Sequence, residues 1–246
     1  MKIATVYSSK GGVGKTTSAV AIAAGMALLR RTLLIDFDPQ GQVGMHFGLP
    51  LTSEIYHWLK GDKPIEQCVV AGRPEQLLLL LGDRKSKTAQ DWFRHRVEGL
   101  AEKIRQLPSE LLVIDTGGVG DVLQEAALMV SDVVVIPFWP EGGAVDGVHN
   151  SLELVGELAP NAQTIFLPVA YLPRWNVHRE ALQSLQQDFP THPELDEKYA
   201  IPARVAVKQG VPLGQTVWEL KESGILDARV AYTYLIERIL TYLGQD

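Results

Sequence analysis

One glycine-rich segment constrains this chain more than any other feature of its sequence. Residues 9–17 read SKGGVGKTT, directly after the apolar run 3–7 and directly before a stretch that is compatible with a helix. Gly11, Gly12 and Gly14 allow the backbone to curl, so that successive N–H groups point at one anion. The N-terminus of the following helix adds its partial positive charge. The segment therefore predicts a phosphate-binding loop, and with it an α/β fold.

Two lysines belong to this loop, and they have different meanings. Lys15 stands where a phosphate-binding lysine reaches the β- and γ-phosphates, and the hydroxyl of Thr16 is placed to ligate Mg²⁺. The common pattern of such loops begins with a glycine, whereas this chain has Ser9 at that position. Lys10 is additional, because an ordinary loop of this type does not need it. The loop predicts nucleotide contacts from Gly11, Gly12, Val13, Gly14, Lys15 and Thr16.

Short β-type runs alternate with helix-length segments along the chain, which is typical of parallel βαβ units. The predicted strands are 2–7, 32–37, 76–81, 111–115, 133–137 and 164–169. The predicted helices are 16–29, 88–106, 122–129, 142–158, 177–187 and 228–243. The strands are almost continuously apolar, as expected when helices cover both faces of a sheet. We expect an α/β fold of three layers, with a mostly parallel twisted sheet between helices, in one domain spanning residues 1–246.

Acidic residues follow two of these strands at positions where they can serve a bound nucleotide. Asp36 and Asp38 end the apolar run 33–37, and Asp115 ends the apolar run 111–114. An acid after the first strand can face a γ-phosphate and its attacking water, and an acid after the second is the expected form of a Mg²⁺ ligand. The alternative, strongest for Asp36, is an acid that caps a helix at a strand end.

Composition excludes several classes of protein. The net charge of −6 argues against a globally basic nucleic-acid binder, and Cys68 is the one cysteine in 246 residues. A single cysteine excludes intramolecular disulfides and suits a reducing compartment. The sequence shows no signal peptide and no apolar run of membrane-spanning length. We therefore expect a soluble cytoplasmic protein without a membrane anchor.

Four motifs occur in a fixed order along the chain: KGGVGKTT from Lys10, LLIDFDPQGQ from Leu33, LLVIDTGG from Leu111 and SDVVVIPFWP from Ser131. In these motifs the chain resembles the ParA/MinD superfamily of deviant-Walker-A ATPases, and the likeness extends over nearly its whole length. The tetrapeptide DPQG at residues 38–41 points to the ParA branch, whose members partition DNA or position cellular cargo.

The resemblance implies a role for each residue that matches these motifs. Lys10 is similar to the signature lysine that crosses an ATP-sandwich homodimer to the partner's nucleotide, and Thr17 to a contact of the α-phosphate. Asp38 matches the acid that positions or activates water, and Asp115 matches the acid of the second switch. Catalytic roles therefore fall to Lys10, Lys15 and Asp38, and Mg²⁺ contacts to Thr16, Asp38 and Asp115, the acids acting through water. The implied ligands are ATP or ADP with Mg²⁺, and slow turnover is expected to be stimulated by a ParB-like or other adaptor.

DNA binding is also implied, by resemblance to short ParA proteins. In these, scattered basic residues on the C-terminal face of the dimer bind DNA non-specifically, which predicts a nucleoid-associated protein in the ATP state. The candidates here are Arg174, Arg179, Arg204, Lys208, Lys221 and Arg229. A second basic stretch, 84–105, holds seven Lys or Arg residues against three acids and is either a solvated helix face or a surface for a polyanion or partner.

Two other classes of function compete with this interpretation. A MinD-like membrane switch needs a basic amphipathic C-terminal helix, but Arg238 is the only base in the run 231–243, so core packing is favoured. A metabolic enzyme of the same fold is the other alternative. Reductase components need cysteines that this chain lacks, and amide ligases usually lack a counterpart of Lys10.

Overall fold

A twisted, mostly parallel sheet forms the centre of the molecule. The computed structural model describes residues 1–118, 120–222 and 224–244, and within these ranges seven strands form one sheet of order β3-β4-β2-β5-β1-β6-β7. Only β3 runs antiparallel to its neighbour in this described sheet. The α/β fold expected from the sequence is confirmed. The strands are β1 (Lys2–Val6), β2 (Thr32–Asp36), β3 (Val69–Ala71), β4 (Leu77–Leu80), β5 (Leu111–Asp115), β6 (Val133–Phe138) and β7 (Gln163–Pro168).

Helices cover both faces of this sheet. Their bounds are α1 (Lys15–Met26), α2 (Glu54–Lys60), α3 (Lys85–Gln90), α4 (Val97–Arg105), α5 (Val122–Met129), α6 (Ala144–Leu158), α7 (Asn176–Asp188), α8 (Val205–Gly210) and α9 (Leu226–Tyr242). Helices α1 and α9 pack on one face of the sheet and share a hydrophobic cluster with its strands. Helices α2, α4 and α5 pack on the other face near β2 and β5, and α6 and α7 pack on it near β6 and β7. Strands between two layers of helices are buried on both faces, which explains their continuous apolar sequences.

Helix α1 approaches α9 closely because it is built from small residues. A β carbon at Gly25 would lie 2.3 Å from Cδ1 of Ile236 and 2.7 Å from the ring of Trp218. The indole N–H of Trp218 donates a hydrogen bond to the carbonyl oxygen of Ala21 at 2.8 Å. The apolar side of α9 is therefore buried in the core, which is the role that the sequence favoured over binding to a membrane.

Several predicted elements differ from the structure. The single helix expected over 88–106 is wrong, because two helices, α3 and α4, are separated by the turns of residues 91–96. In α4 the buried side chains are Leu100, Ala101 and Ile104, so its helical periodicity begins only after this break. The sequence analysis also missed α2, α8 and the short edge strand β3. Cys68 is buried, in agreement with a role in the core.

The sheet brings three chain segments to one edge. Parallel pairing places Val6 opposite Asp115 and Asp36 opposite Asp115 in register. The loops that follow β1, β2 and β5 therefore leave the same edge side by side. Ligands of open α/β sheets bind beyond this carboxyl edge.

Candidate nucleotide-binding site

The loop after β1 has the backbone geometry of an anion cradle. Gly12 and Gly14 adopt φ angles of 74° and 79°, in the left-handed region that side chains with a β carbon rarely enter. Helix α1 begins at Lys15, directly after Gly14, so its free N–H groups open into the loop. No described heavy atom lies within 4 Å of the β-carbon positions of Gly11 and Gly12. The glycine side of the loop is thus open to a phosphate group.

Lys15 closes this loop from the helix side. Its Nζ donates a hydrogen bond to the carbonyl oxygen of Lys10 at 3.2 Å, across the turn of the loop. Burial lowers the pKa of Lys15, while the negative charges of Asp115 and Asp38 oppose the change. An ammonium group that is partly withdrawn from water interacts more strongly with an anion, because the local dielectric constant is lower. Lys15 is therefore arranged to bind phosphate.

Asp36 and Asp115 are both fully buried, but within the described residues only Asp36 accepts hydrogen bonds of normal geometry. Its carboxylate accepts the backbone N–H groups of Asp38 at 3.1 Å and Val43 at 3.0 Å. Burial, followed by the charge of Asp115, raises the pKa of Asp36, and these two hydrogen bonds oppose the rise. Asp36 thus organises the loop after β2 and does not face the open cradle.

Asp115 has no such partners. No described residue donates a hydrogen bond of normal geometry to either oxygen of its buried carboxylate. Burial raises its pKa to about 7, the charge of Asp38 adds to the rise, and the neighbouring Thr16 hydroxyl and Lys15 ammonium oppose it. A buried carboxylate without donors is expensive unless a cation neutralises it. Hard oxygen ligands from Asp115 and Thr16 fit Mg²⁺, with phosphate oxygens and water completing the shell.

Asp38 lies in the turn that faces the loop after β5. Its carboxylate accepts the N–H of Gln40 at 2.8 Å, and its carbonyl oxygen accepts the N–H of Gly41 at 2.9 Å. A β carbon at Gly117 would lie 3.1 Å from Cδ of Pro39 and 3.4 Å from Cα of Asp38. The loops after β2 and β5 are therefore in contact, so a displacement of one would displace the other.

Lys10 rests on helix α6 of its own chain. Its Nζ donates a hydrogen bond to the carbonyl oxygen of Gly143, just before α6 begins. A β carbon at Gly147 would lie 2.8 Å from both Cδ and Cε of Lys10. The side chain is thus seated on the first turn of α6, where glycines leave room for it. Its contact with a partner's nucleotide stays a prediction.

Sequence analysis missed the residues that tie the loop to α6. The Ser9 hydroxyl donates to the carbonyl oxygen of Gly147 at 3.0 Å, and the Ser9 N–H donates to the Ser151 hydroxyl at 3.0 Å. A glycine at position 9 could make only the second of these bonds, which gives a structural reason for the departure from the usual pattern. The serine itself was the only signal in the sequence.

Two of the residues predicted to bind DNA are engaged within the fold. The Arg229 guanidinium donates to backbone carbonyl groups within residues 217–220, at 2.9 Å to the first of them. The Arg204 guanidinium donates to the carbonyl oxygen of Gly224 at 2.7 Å and pairs with Asp227. These contacts hold the segment before α9 and occupy donors that a phosphate would need.

The other four candidates have different surroundings. Arg179 is exposed and donates to the side-chain oxygen of Asn176 at 2.5 Å. Arg174 and Lys221 are exposed. The side chain of Lys208 lies outside the described residues. DNA contact by this set stays a prediction.

Comparison with known proteins places the chain in a family. A family model described as an AAA domain matches residues 1–166. The chromosome partitioning protein ParA of Myxococcus xanthus is 34% identical over 165 residues, which cover 61% of this chain and 56% of that relative. The match thus spans little more than half of the relative's length.

Solved structures show the same fold. Apo McdA from Cyanothece superposes with a TM-score of 0.84 at 18% identity, covering 98% of this chain and 99% of that one. Cobyrinic acid a,c-diamide synthase from Mycobacterium smegmatis, with an ATP analogue and magnesium bound, gives 0.79 at 23% identity over 99% and 96%. No helix within the described residues is both long and apolar enough to cross a bilayer. The family match, the partitioning relative and the order of the motifs agree: the chain belongs to the ParA/MinD superfamily, in its ParA branch.

Proposed function

We propose that this protein is an ATP-dependent switch, which forms a homodimer around ATP and hydrolyses it slowly to partition DNA or position cellular cargo. The observation that carries the proposal is the buried carboxylate of Asp115, which accepts no hydrogen bond of normal geometry from a described residue and lies beside the Thr16 hydroxyl at the mouth of the loop. Such a group is completed by a divalent cation that arrives with a nucleotide.

Each group then has a part in phosphoryl transfer to water. The loop amides and Lys15 would hold the β- and γ-phosphates, while Thr16 and Asp115 would hold Mg²⁺. When bound, Mg²⁺ neutralises charge that develops between these phosphates. Asp38 orients the attacking water, because a carboxylate is too weak a base to drive the reaction alone. Lys10 would leave its seat on α6 and bind the partner's phosphates, which couples nucleotide state to dimerisation.

Partitioning and positioning are inferred from the relatives and the DPQG motif. The Myxococcus relative is called a chromosome partitioning protein. The amide-synthase fold is equally compatible with the sheet, so fold alone does not decide between a switch and a ligase. Lys10 favours the switch, because amide ligases of this fold usually lack a counterpart of this lysine. We expect the ATP dimer on the nucleoid in the cytoplasm, and an adaptor of the ParB kind that stimulates hydrolysis.

Sedimentation velocity with Mg²⁺ and ADP, Mg²⁺ and ATP, or ATP and EDTA tests this proposal. The wild-type protein should dimerise only with Mg²⁺ and ATP, and Lys10→Ala should stay monomeric. Lys198→Ala, which removes an exposed lysine paired with Asp196, is the matched control and should dimerise normally. A Lys10→Ala protein that dimerises like wild type would refute the role of Lys10 in trans.

Hydrolysis needs a separate measurement. Asp38→Ala should retain ATP binding and dimerisation but lose phosphate release by at least about 100-fold, since water is no longer positioned. Unchanged turnover in this variant would remove Asp38 from the mechanism. Co-sedimentation of ATP dimers with anionic vesicles, without DNA binding, would favour the membrane-associated alternative.

A further inference from the structure

A strongly basic surface lies outside the site described so far. Residues 84–96, called the basic segment below, contain Arg84, Lys85, Lys87, Arg94 and Arg96 against one acid, Asp91. The chain as a whole has a net charge of −6, so this concentration of positive charge runs against its composition. A local basic patch on an acidic protein is a candidate surface for a polyanion.

The cations of this segment are free to act. All five are exposed, and Arg94 makes the one ion pair found for them within the described residues, at 2.6 Å to Asp91. This contrasts with Arg204 and Arg229, whose donors are used by backbone carbonyl groups near α9. An exposed cation without a partner can neutralise a phosphate without first breaking an internal bond. The basic segment is therefore better prepared for DNA than those two residues of the C-terminal face.

An exposed aromatic ring lies among these charges. The side chain of Trp92 is 42% exposed, and its ring centroid lies 5.3 Å from that of Tyr56 on α2, at a tilt of 52°. Phe93 packs against the hydrophobic cluster below and anchors the turn. An exposed aromatic ring between cations suits nucleic acid, because the ring can pack against a sugar while the phosphates meet the charges. An acidic protein segment would use the charges but not the ring.

Gly82, two residues before the basic segment, packs on the loop that carries Asp38. A β carbon at Gly41 would lie 2.4 Å from the carbonyl oxygen of Gly82, and one at Gly82 would lie 2.7 Å from that of Asp36. Strand β4 runs parallel to β2, so the segment leaves the sheet at the same edge as the phosphate loop. A displacement of the Asp38 loop would therefore also displace the backbone from which the basic segment begins.

We infer that the basic segment is a nucleic-acid-binding surface, which holds the phosphate backbone through Lys85, Lys87, Arg84 and Arg96 in the ATP state. The inference rests on the proposed function and gives its DNA contact a different place from the C-terminal candidates. Because backbone phosphates are common to all sequences, the binding has no base specificity and weakens steeply with salt.

The test is fluorescence anisotropy with a labelled 30-base-pair duplex and the full chain, in Mg²⁺ and ATP, at a series of salt concentrations. The variant carries Lys85→Gln, Lys87→Gln and Arg96→Gln together. The rival variant, which serves as the control, carries Arg174→Gln, Arg179→Gln and Lys221→Gln, the exposed C-terminal candidates for DNA binding, and removes the same charge. Thermal unfolding verifies that both triple variants are folded, since exposed substitutions of this kind have small effects on stability.

We expect the basic-segment variant to bind the duplex about 10- to 100-fold more weakly near 0.1 M salt. The steepness of log K against log salt concentration should fall by roughly 2 to 3, because three phosphate contacts are lost. The affinity of the control for the duplex should remain within about twofold of wild type, which is less than the loss of one phosphate contact would cause. An equal loss in both variants, or a loss in the control alone, overturns the inference and leaves the proposed function intact.

Three further outcomes overturn the inference, and the first of them also removes DNA binding from the proposed function. If the wild-type ATP dimer forms but binds no duplex, the DNA-binding part of the proposed function fails together with the inference. If poly-glutamate of matched charge displaces the duplex as well as unlabelled DNA does, the surface is a site for acidic proteins and the inference is overturned. Binding to anionic vesicles in place of DNA overturns it in the same way.

Discussion

The carboxyl ends of β2 and β5 lie side by side but are built in opposite ways. Asp36 and Asp115 are paired in register and both are fully buried. Asp36 accepts two backbone N–H groups from the loop that follows it, whereas no described residue donates a hydrogen bond of normal geometry to Asp115. Two aspartates at the same level of the sheet thus differ: the carboxylate on β2 has hydrogen-bond donors from the fold, and the carboxylate on β5 lacks donors of normal geometry.

The glycines that follow these strands differ in the same way. Gly41 has a φ of 64°, and its β-carbon position is 2.4 Å from a backbone oxygen. No described heavy atom lies within 4 Å of the β-carbon position of Gly118. The end of β2 is therefore closed by its own loop, and the end of β5 is open to a ligand. A buried acid with its donors in place indicates architecture, and one without them indicates a site.

The largest expected effect is that of Gly41→Ala. The left-handed backbone and the clash with the oxygen of Gly82 should together lower the free energy of unfolding by about 2–4 kcal/mol. Gly118→Ala is the matched substitution at the open end, and it should change stability by less than about 0.5 kcal/mol. Urea denaturation followed by circular dichroism measures both. Equal losses in the two variants would show that the two strand ends do not differ.

The positions of the phosphate loop and of the acids could be predicted from local sequence, because each of them directly follows or ends a predicted strand. Asp115 and Lys15 lie where the motifs place them, at one edge of a parallel sheet. What Asp36 does could not be decided, since its donors at Asp38 and Val43 depend on the path of the loop. The contact of Ser9 with Ser151, 142 residues away, is tertiary and leaves no periodic signal. The break between α3 and α4 was hidden by residues that suit either a helix or a turn.

The second prediction exchanges the two acids for amides. Asp36→Asn places an N–H group against a backbone N–H, so one buried donor loses its acceptor and unfolding should become easier by about 1–3 kcal/mol. Asp115→Asn breaks no hydrogen bond of normal geometry to a described residue and should not destabilise the nucleotide-free protein at pH 8. It should instead abolish the rise in melting temperature that Mg²⁺ and ATP give to wild type. Thermal unfolding with and without ligand measures both effects, and a stable Asp36→Asn protein would contradict the comparison.

A smaller effect is expected from pH. Burial raises the pKa of Asp115 to about 7, against 3.8 when unfolded, so the unfolded chain loses this proton first as pH rises. The folded state is therefore favoured most below about pH 4 and loses this stability as pH rises from about 4 to about 7, on the order of 1–2 kcal/mol of it above pH 5. Asp115→Asn should flatten this part of the profile. His46, whose pKa burial lowers to about 4, is present in both proteins, so its contribution cancels in the difference. Parallel profiles for the two proteins from pH 5 to pH 8 would contradict the assignment.

The smallest expected effect concerns the end of β1, where Lys10 resembles Asp36 in being satisfied within its own chain. Gly147→Ala places a methyl group 2.8 Å from Cδ and Cε of Lys10, which must move off α6. The flexible lysine can yield, and the gain in helix propensity offsets part of the lost contact, so stability should change by less than about 1 kcal/mol.

Release of Lys10 should then strengthen ATP-dependent dimerisation a few-fold, because the side chain no longer has to leave its seat first. Gly156→Ala on the same helix has no described heavy atom within 4 Å of its β carbon, so it provides the gain in helix propensity alone. Sedimentation equilibrium of the two variants with Mg²⁺ and ATP separates propensity from release. A tighter dimer in Gly156→Ala but not in Gly147→Ala would show that the contact of Lys10 with α6 does not restrain assembly.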